Sequence, residues 1–184
     1  VESGQRALAA IAASRPDVLT YQTEILEEDL TLAGPILNSL FVSTTGTDAD
    51  WIVKVIDVFP DALPTPEYDG SKPEKRAPPM AGYQMLVRGE VFRGKFRNSF
   101  SKPEPFQPGV VTKVEYGMND VFHTFRRGHR LMIQIQSSWF PIVDRNPQKF
   151  MQINEARESD FQKATHRVYR QANAATRIGV RVLP

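Results

Sequence analysis

Three histidines are the side chains of this 184-residue chain best suited to acid–base chemistry near neutral pH, because an ordinary imidazole titrates close to that range. His123, His129 and His166 match no metal-binding spacing such as His-Glu-x-x-His. His129 lies in a tight turn before a strand-like run, which favours a structural histidine bonded to backbone groups. His123, beside Phe122, is expected to be packed, and His166 is expected to point inward, where it needs a hydrogen-bond partner.

The serines show no sign of an activated nucleophile. A serine hydrolase of the α/β type carries its nucleophile in a Gly-x-Ser-x-Gly elbow between a strand and a helix, and the sequence contains no such pentapeptide. Ser137 and Ser138 are followed by Trp-Phe-Pro, which cannot start a helix. We therefore assign no catalytic residue and expect this chain alone to be inactive as a hydrolase.

Two carboxylates in one turn could contribute to a cation site. Asp48 and Asp50 lie one residue apart in a polar turn, but Ca²⁺ takes six to eight oxygen ligands. A turn in which aspartate accepts local hydrogen bonds is the favoured interpretation. The chain has no cysteine, which excludes a disulfide framework and a cysteine zinc site. We predict no metal and no cofactor.

Basic side chains alternate with phenylalanines in one region, at Arg88, Arg93, Lys95 and Arg97. Such interleaving can bind nucleic acid, but Glu90 interrupts it and the formal net charge is only +2. An ordinary strand with a charged outer face explains the pattern, so no nucleic-acid partner is expected. No apolar run approaches the roughly 20 residues of a membrane span, so no membrane partner is expected either.

Length and composition indicate one globular domain. Hydrophobic residues make up 41% of the chain and charged residues 24%, near the averages for soluble domains. Residues 1–14 are expected to be a lead-in segment or short helix, and residues 15–184 a single β-sandwich domain. The lack of cysteine is compatible with cytosol and periplasm alike, so the sequence favours no compartment.

Period-two alternation predicts nine or ten short strands without strand–helix alternation, which is typical of a β-sandwich or barrel. Residues 51–59 give the strongest pattern, with Trp51, Val53 and Val55 facing one way and further apolar residues facing the other. Apolar residues on both faces indicate a central strand. The other predicted strands are 18–25, 30–32 and 36–44 around a turn or bulge at Gly34, 83–92, 110–116, 130–138, 164–170 and 177–183.

The intervening segments are predicted to be loops. Residues 60–82 contain six prolines and form a long loop to which we assign no role. Residues 141–163 form a second long loop with a helical turn near 155–161. Residues 122–128 are expected to be a short turn.

The block Gln134–Pro147 joins a strand to a loop that carries an aromatic pair, an acid, a base and an Asn-Pro turn. Four further blocks accompany it in order, at 15–24, 30–35, 47–58 and 128–131. Together they resemble the C-terminal β-sandwich domain of the X-prolyl dipeptidyl peptidase and cocaine esterase group of serine hydrolases. Within that group the chain is most similar to the α-amino-acid ester hydrolases, also called glutaryl 7-aminocephalosporanic acid acylases.

This resemblance covers nearly the whole chain from Arg15 and implies a jelly-roll sandwich, like a galactose-binding domain, with long loops and little helix. It implies a non-catalytic domain that packs on the α/β-hydrolase domain of the same parent chain, helps to shape its substrate pocket and supports a homo-oligomer. The parent enzyme is then a serine hydrolase with an acyl-enzyme mechanism, acting on esters, amides or X-Pro peptides. The alternative is a free-standing carbohydrate-binding jelly roll.

The loop that follows Ser138 is the candidate interface or pocket wall. Trp139, Phe140 and Ile142 provide an apolar centre, and Asp144 and Arg145 provide charged flanks, as in the core and rim of a protein interface. We expect Trp139 and Phe140 to be partly exposed. In the alternative, the aromatic rings fold back onto the core of the domain and Asp144 pairs with Arg145.

Overall fold

Residues 15–61 and 80–184 are described by a computed structural model of the chain. Within these ranges the ten strands, in chain order, are β1 (Val18–Gln22), β2 (Leu30–Thr44), β3 (Asp50–Val58), β4 (Gln84–Arg93), β5 (Thr112–Phe125), β6 (Arg130–Gln136), β7 (His166–Val168), β8 (Arg170–Gln171), β9 (Ala174–Ala175) and β10 (Arg177–Gly179). Helix is limited there to three single 3₁₀ turns, Gly94–Phe96, Ile153–Glu155 and Glu158–Asp160.

Two antiparallel sheets form the fold. Sheet A has the order β1-β6-β3-β4, and sheet B has the order β10-β2-β5, with β7 pairing β2 beyond β10. Strands β8 and β9 form a small separate hairpin. The predicted all-β sandwich with little helix is therefore confirmed, whereas the likeness to a galactose-binding domain remains a prediction. Among the described residues, no helix is long and apolar enough to cross a membrane.

Strand β3 is the centre of sheet A. It pairs with β4 on one side and β6 on the other, and its inward residues Trp51, Val53 and Val55 join the core between the sheets. Its outward residues Ile52 and Ile56 are also buried. The central strand predicted from apolar residues on both faces is confirmed, because a strand covered on both sides needs apolar side chains in both directions.

Strand β2 is one continuous strand where the sequence indicated two runs. A bulge between Gly34 and Ile36 interrupts its register with β5, and Gly34 adopts φ 98°, a conformation that favours glycine. The predicted turn or bulge is thus a bulge, and it leaves Leu32 and Ile36 both buried in the core.

Strand β5 corrects the predicted turn at 122–128. It continues to Phe125, pairing Phe122 with Ala33 and Phe125 with Leu30. Val121, His123 and Phe125 point inward, and a histidine in the middle of this inward row concealed its alternation. The predicted strands at 164–170 and 177–183 are also shorter than expected. The 1–14 segment and most of the 60–82 loop lie outside the described residues.

Trp51→Ala is expected to lower the free energy of unfolding by about 3–5 kcal/mol, the usual effect of deleting a large buried aromatic side chain. Trp51 is only 1% exposed and lies between the sheets. Urea unfolding measures the loss, and Ile25→Ala, at an exposed position, serves as the control with a change below about 1 kcal/mol. A loss that small at Trp51 would show that its burial contributes little.

Candidate functional site

The 139–150 loop lies beside a cleft of about 620 Å³ at one end of the sandwich. Strand β1, the end of β6, the loop and the 161–168 segment enclose this cleft. Its lining residues are Pro16, Asp17, Leu19, Trp51, Ile135, Gln136, Ser137, Ser138, Arg145, Asn146, Gln148, Phe161, Gln162, Lys163, Ala164, Thr165, His166 and Val168.

Trp139 fixes the start of the loop on the outer face of sheet A. Its ring lies 4.3 Å from Nζ of Lys54 on β3, in the geometry of a cation–π contact. On the neighbouring strand, a Cβ added to Gly89 would lie 2.6 Å from the ring, so only glycine leaves room for it. Trp139 is therefore half-buried by its own domain.

Phe140 and Ile142 project from the loop into solvent. They are 64% and 68% exposed, although the loop that carries them is a closed turn. The backbone N–H groups of Ile142 and Val143 both donate to the carbonyl oxygen of Trp139, at 2.9 and 3.2 Å. The expected partial exposure of Trp139 and Phe140 is confirmed, and the alternative in which both rings plug the core is wrong.

Arg145 lies between two aromatic rings. Its guanidinium carbon is 5.7 Å from the centre of the Phe140 ring and 5.2 Å from that of Phe161. The alternative expectation paired Arg145 with Asp144, but no ion pair joins these two side chains in the described part of the chain. The guanidinium therefore extends an exposed aromatic surface and keeps a charge that an acid could pair.

Buried hydrogen bonds hold the second half of the loop against β3. Nδ2 of Asn146 donates to Oδ1 of Asp50 at 2.8 Å, and both residues are buried. The carbonyl oxygen of Gln148 accepts a bond from the backbone N–H of Thr47 at 3.0 Å. A Cβ added to Gly46 would lie 2.3 Å from that oxygen, so the close approach of the loop requires glycine.

Arg93 and Lys95, two residues of the predicted basic cluster, also help to hold the 139–150 loop and the segment after it. Arg93 pairs with Asp50 at 3.3 Å, and buried Lys95 lies 3.8 Å from Asp48. Nζ of Lys95 also donates to the carbonyl oxygen of Met151 at 2.8 Å. The expected charged outer face is therefore wrong, because these side chains turn toward buried carboxylates and toward the loop.

The other two basic residues of the cluster, Arg97 and Arg88, also bind groups of their own domain. Arg97 donates to the carbonyl oxygens of Glu104 and Pro105, both at 2.8 Å, and lies over the ring of Phe106. Arg88 donates to the carbonyl oxygen of Asp120 on β5. The cluster thus joins loops and strands of its own domain.

The two aspartates are held in different ways. Oδ1 of Asp48 accepts the backbone N–H of Ala49 at 2.9 Å, which confirms the predicted local acceptor, whereas Asp50 bonds to a distant loop. Burial raises the pKa of Asp50 to about 6, against the opposing effects of Asn146 and Arg93. Burial also raises the pKa of Asp48. Among the described residues, no group of three or more His, Cys, Asp or Glu side chains could hold a metal ion.

Trp51 and His166 form the inner wall of the cleft. Their ring centres lie 5.3 Å apart, and Nε2 of His166 lies 2.7 Å from Oε1 of Gln148, which confirms the expected inward histidine with a partner. Burial lowers the pKa of His166 and so favours the neutral ring. The indole Nε1 of Trp51 has no hydrogen-bond partner within the described residues.

A third buried acid, Asp57, lies at the end of β3 opposite to Asp50. Its Oδ2 is 2.9 Å from Nε2 of His123, and its Oδ1 is 2.8 Å from Nδ1 of His129. His129 was expected to bond backbone groups, so its carboxylate partner corrects that prediction. Asp57 itself was missed, although it continues the inward alternation of Trp51, Val53 and Val55.

Among the described residues, no histidine side chain is hydrogen-bonded to a serine, the contact that an activated serine would need. In the described residues, the side-chain hydrogen bonds of the three histidines go to Asp57 and Gln148, and none goes to a serine. Ser137 and Ser138 line the cleft, and neither is hydrogen-bonded to one of these histidines within the described residues. What the region offers instead is an anchored loop with exposed apolar side chains.

Comparisons with known proteins agree on one family. Residues 2–178 match the X-Pro dipeptidyl-peptidase C-terminal non-catalytic domain. A cocaine esterase from Rhodococcus sp. (strain MB1 Bresler) is 30% identical over 156 residues, which are 85% of this chain and 24% of the relative.

Solved structures give the same result. An aminopeptidase from a marine sediment Thaumarchaeota archaeon superposes with a TM-score of 0.84 at 43% identity, over 94% of this chain and 27% of that one. An α-amino acid ester hydrolase superposes with a TM-score of 0.82 at 41% identity, over 94% of this chain and 26% of that one. The chain thus spans about a quarter of the length of the relatives that it matches.

Asp50→Asn is expected to flatten the dependence of stability on pH. The folded pKa of about 6 lies above the ordinary value of 3.8, so the folded state binds more protons between these values and its stability falls as pH rises through them. The fall from Asp50 amounts to roughly 3 kcal/mol. Urea unfolding of both proteins at a series of pH values measures the difference, and equal slopes for the two would contradict the assignment.

Proposed function

Since the chain belongs to the family of X-Pro dipeptidyl-peptidase C-terminal non-catalytic domains, we propose that it docks on the α/β-hydrolase catalytic domain of a larger serine hydrolase through the 139–150 loop. One observation carries this proposal. Phe140 and Ile142 are mostly exposed, yet the loop that presents them is fixed by buried hydrogen bonds. A fixed, exposed apolar pair is typical of an interface that is complete only with its partner.

Preorganisation of the loop supports docking. A mobile loop loses conformational entropy when it binds, and this loss weakens an interface. The bond from Asn146 to Asp50 and the bond from Thr47 to Gln148 order the 139–150 loop before any partner arrives. Phe140 and Ile142 can then enter an apolar depression of the catalytic domain with little further ordering.

The chemistry of the partner surface follows from Arg145. Its guanidinium is stacked beside Phe140 and Phe161, and arginines among aromatic residues are frequent energetic centres of protein interfaces. We therefore place an aspartate or glutamate of the catalytic domain opposite Arg145, beside the depression that receives Phe140. Asp144 then lies on the rim of this interface.

The reaction of the parent enzyme is proposed from the same family. Its relatives are named as an esterase, an aminopeptidase and an α-amino acid ester hydrolase, so the parent cleaves ester or peptide bonds through an acyl-enzyme. The catalytic serine, histidine and acid are supplied by the partner domain. The role of this chain is structural, because the docked loop and the neighbouring cleft form part of the wall around the substrate.

The carbohydrate-binding alternative fits the geometry less well. A sugar platform needs an open aromatic face, but the ring of Trp139 lies against Lys54 and the backbone at Gly89. Trp51 is buried in the core. The two tryptophans thus serve packing within the domain.

The 184-residue chain alone is expected to show no hydrolysis of a chromogenic acetate ester or of an α-amino-acid ester, because its sequence contains no Gly-x-Ser-x-Gly elbow. Stopped assays at high protein concentration measure the hydrolysis of each ester. Saturable turnover that a serine-directed phosphonate abolishes would overturn the non-catalytic assignment.

In the parent polypeptide, Phe140→Asp combined with Ile142→Asp is expected to detach this domain from the catalytic domain, because two charges would be buried in an apolar depression. We expect at least about a tenfold loss of kcat/KM, the equivalent of 1.4 kcal/mol, and faster proteolysis between the domains. Phe100→Asp is the matched control, because Phe100 is 83% exposed on a different loop. Unchanged activity and proteolysis in the double variant would contradict docking through this loop.

A further inference from the structure

Two glycines contact the two ends of the 139–150 loop. Gly89 of β4 lies against the ring of Trp139, and Gly46, in the turn between β2 and β3, lies against the carbonyl oxygen of Gln148. A Cβ added to Gly89 would be 2.6 Å from Cη2 and 2.9 Å from Cζ3 of that ring, and one added to Gly46 would be 2.3 Å from that oxygen. A methyl group at either position therefore cannot coexist with the loop where the loop now lies.

The backbone conformation of these two glycines does not itself require glycine. A positive φ is what usually demands glycine, and Gly46 and Gly89 do not have one. In the described residues, the glycines with positive φ are Gly34, Gly82, Gly109 and Gly128. The loop itself leaves no room for a side chain at Gly46 and Gly89, because the closest atoms at both positions belong to Gln148 or Trp139.

The carbonyl oxygen of Gln148 is held beside Gly46 by two hydrogen bonds. It accepts the backbone N–H of Thr47 at 3.0 Å and the side-chain Nε2 of Gln162 at 2.7 Å. Gln148 also adopts φ 65°, a left-handed conformation that is uncommon for a residue with a Cβ, and its N–H donates to Oδ1 of Asn146 at 2.8 Å. The carbonyl cannot withdraw from Gly46 without breaking such contacts, so a methyl group there would displace the second half of the loop.

At the other end of the loop, Trp139 transmits any displacement to the exposed apolar pair. The backbone N–H of Ile142 donates to the carbonyl oxygen of Trp139 at 2.9 Å, and Phe140 follows Trp139 directly. Non-bonded carbon atoms pack at about 3.5–4.0 Å, so a methyl group at Gly89 would force the ring back by about 1 Å. Phe140 and Ile142 belong to the same closed turn and would move with the ring.

We propose that Gly46 and Gly89 are positioning residues for the reaction of the parent enzyme, an inference that rests on the proposed docking through the 139–150 loop. The two glycines set the height and direction at which the loop presents Phe140 and Ile142 to the catalytic domain. Gly46 is buried and Gly89 is half-buried, so both act through the loop. A displacement of about 1 Å far from the reacting atoms can lower catalytic efficiency about a hundredfold.

A glycine of sheet B provides the matched control. Gly117 lies on β5, and a Cβ added to it would be 3.8 Å from Cδ2 of Leu37 on β2. This distance is an ordinary van der Waals contact. Alanine at Gly117 therefore fits without moving its neighbours, although this glycine, like Gly89, lies within a strand.

Nuclear magnetic resonance of the 184-residue chain tests whether the loop moves. Gly46→Ala is expected to lower the hydrogen-exchange protection of the Thr47 amide at least about tenfold, because its acceptor is displaced. Gly89→Ala is expected to change the ring-current shifts of the Lys54 side chain, whose Nζ lies 4.3 Å from the displaced ring. Gly117→Ala should leave both signals unchanged, and circular dichroism melting checks that all three variants are folded.

In the parent polypeptide, Gly46→Ala and Gly89→Ala are each expected to lower kcat/KM at least about tenfold, whereas Gly117→Ala should leave it unchanged. Trp139→Phe is the rescue for Gly89→Ala. Phenylalanine lacks the outer ring that carries Cη2 and Cζ3, but it keeps an aromatic face for Lys54. In the Trp139→Phe background, Gly89→Ala should therefore lower kcat/KM less than about twofold, as expected of two residues whose contact has been removed.

Three results would overturn the proposal, and they differ in what they say about docking. Unchanged Thr47 and Lys54 signals would show that the methyl groups fit without moving the loop, and docking would then be judged by the double variant of Phe140 and Ile142 alone. A displaced loop with unchanged kcat/KM in the parent would show that docking through this loop is itself wrong. A loss of activity in Gly89→Ala that persists in the Trp139→Phe background would assign Gly89 to the strand and not to the loop.

Discussion

The hydrogen bond from Asn146 to Asp50 is the contact on which the exposed loop depends. It joins the loop to the first residue of the central strand, at a point where both side chains are buried. A buried carboxylate left without partners would be strongly unfavourable, so the loop and the strand each complete the other. Phe140 and Ile142 can stay in solvent in one conformation because the chain a few residues later is held in this way.

Strand β3 carries a buried aspartate at each end, and each one fastens a different part of the chain. Asp50 binds the 139–150 loop and also forms an ion pair with Arg93. Asp57 binds His123 of β5 and His129 in the turn that follows. Between them the strand is apolar on both faces. Burial of Asp50 lowers stability, as its raised pKa indicates, whereas the hydrogen bonds of the two acids specify where the loop and the turn must lie.

The two outer faces of the sandwich have different characters because different elements cover them. Trp139 closes part of sheet A and leads into the projecting aromatic side chains, whereas sheet B leaves Leu37 standing between two glycines. Under the proposed function, the face that carries Trp139 and the projecting loop is the one that meets the catalytic domain.

The sequence by itself determined the all-β class, the central strand at Trp51, the apolar loop after Ser138 and the family, because alternation and short-range motifs are local properties of the chain. It missed the full length of β5, where inward His123 concealed the alternation, and it placed Arg93 and Lys95 on a charged outer face. Only the tertiary structure decided the partners of Asp50, Asp57 and His129. These contacts join residues 66 to 96 positions apart, and the direction of a polar side chain depends on which distant group comes within reach when the sheets pack.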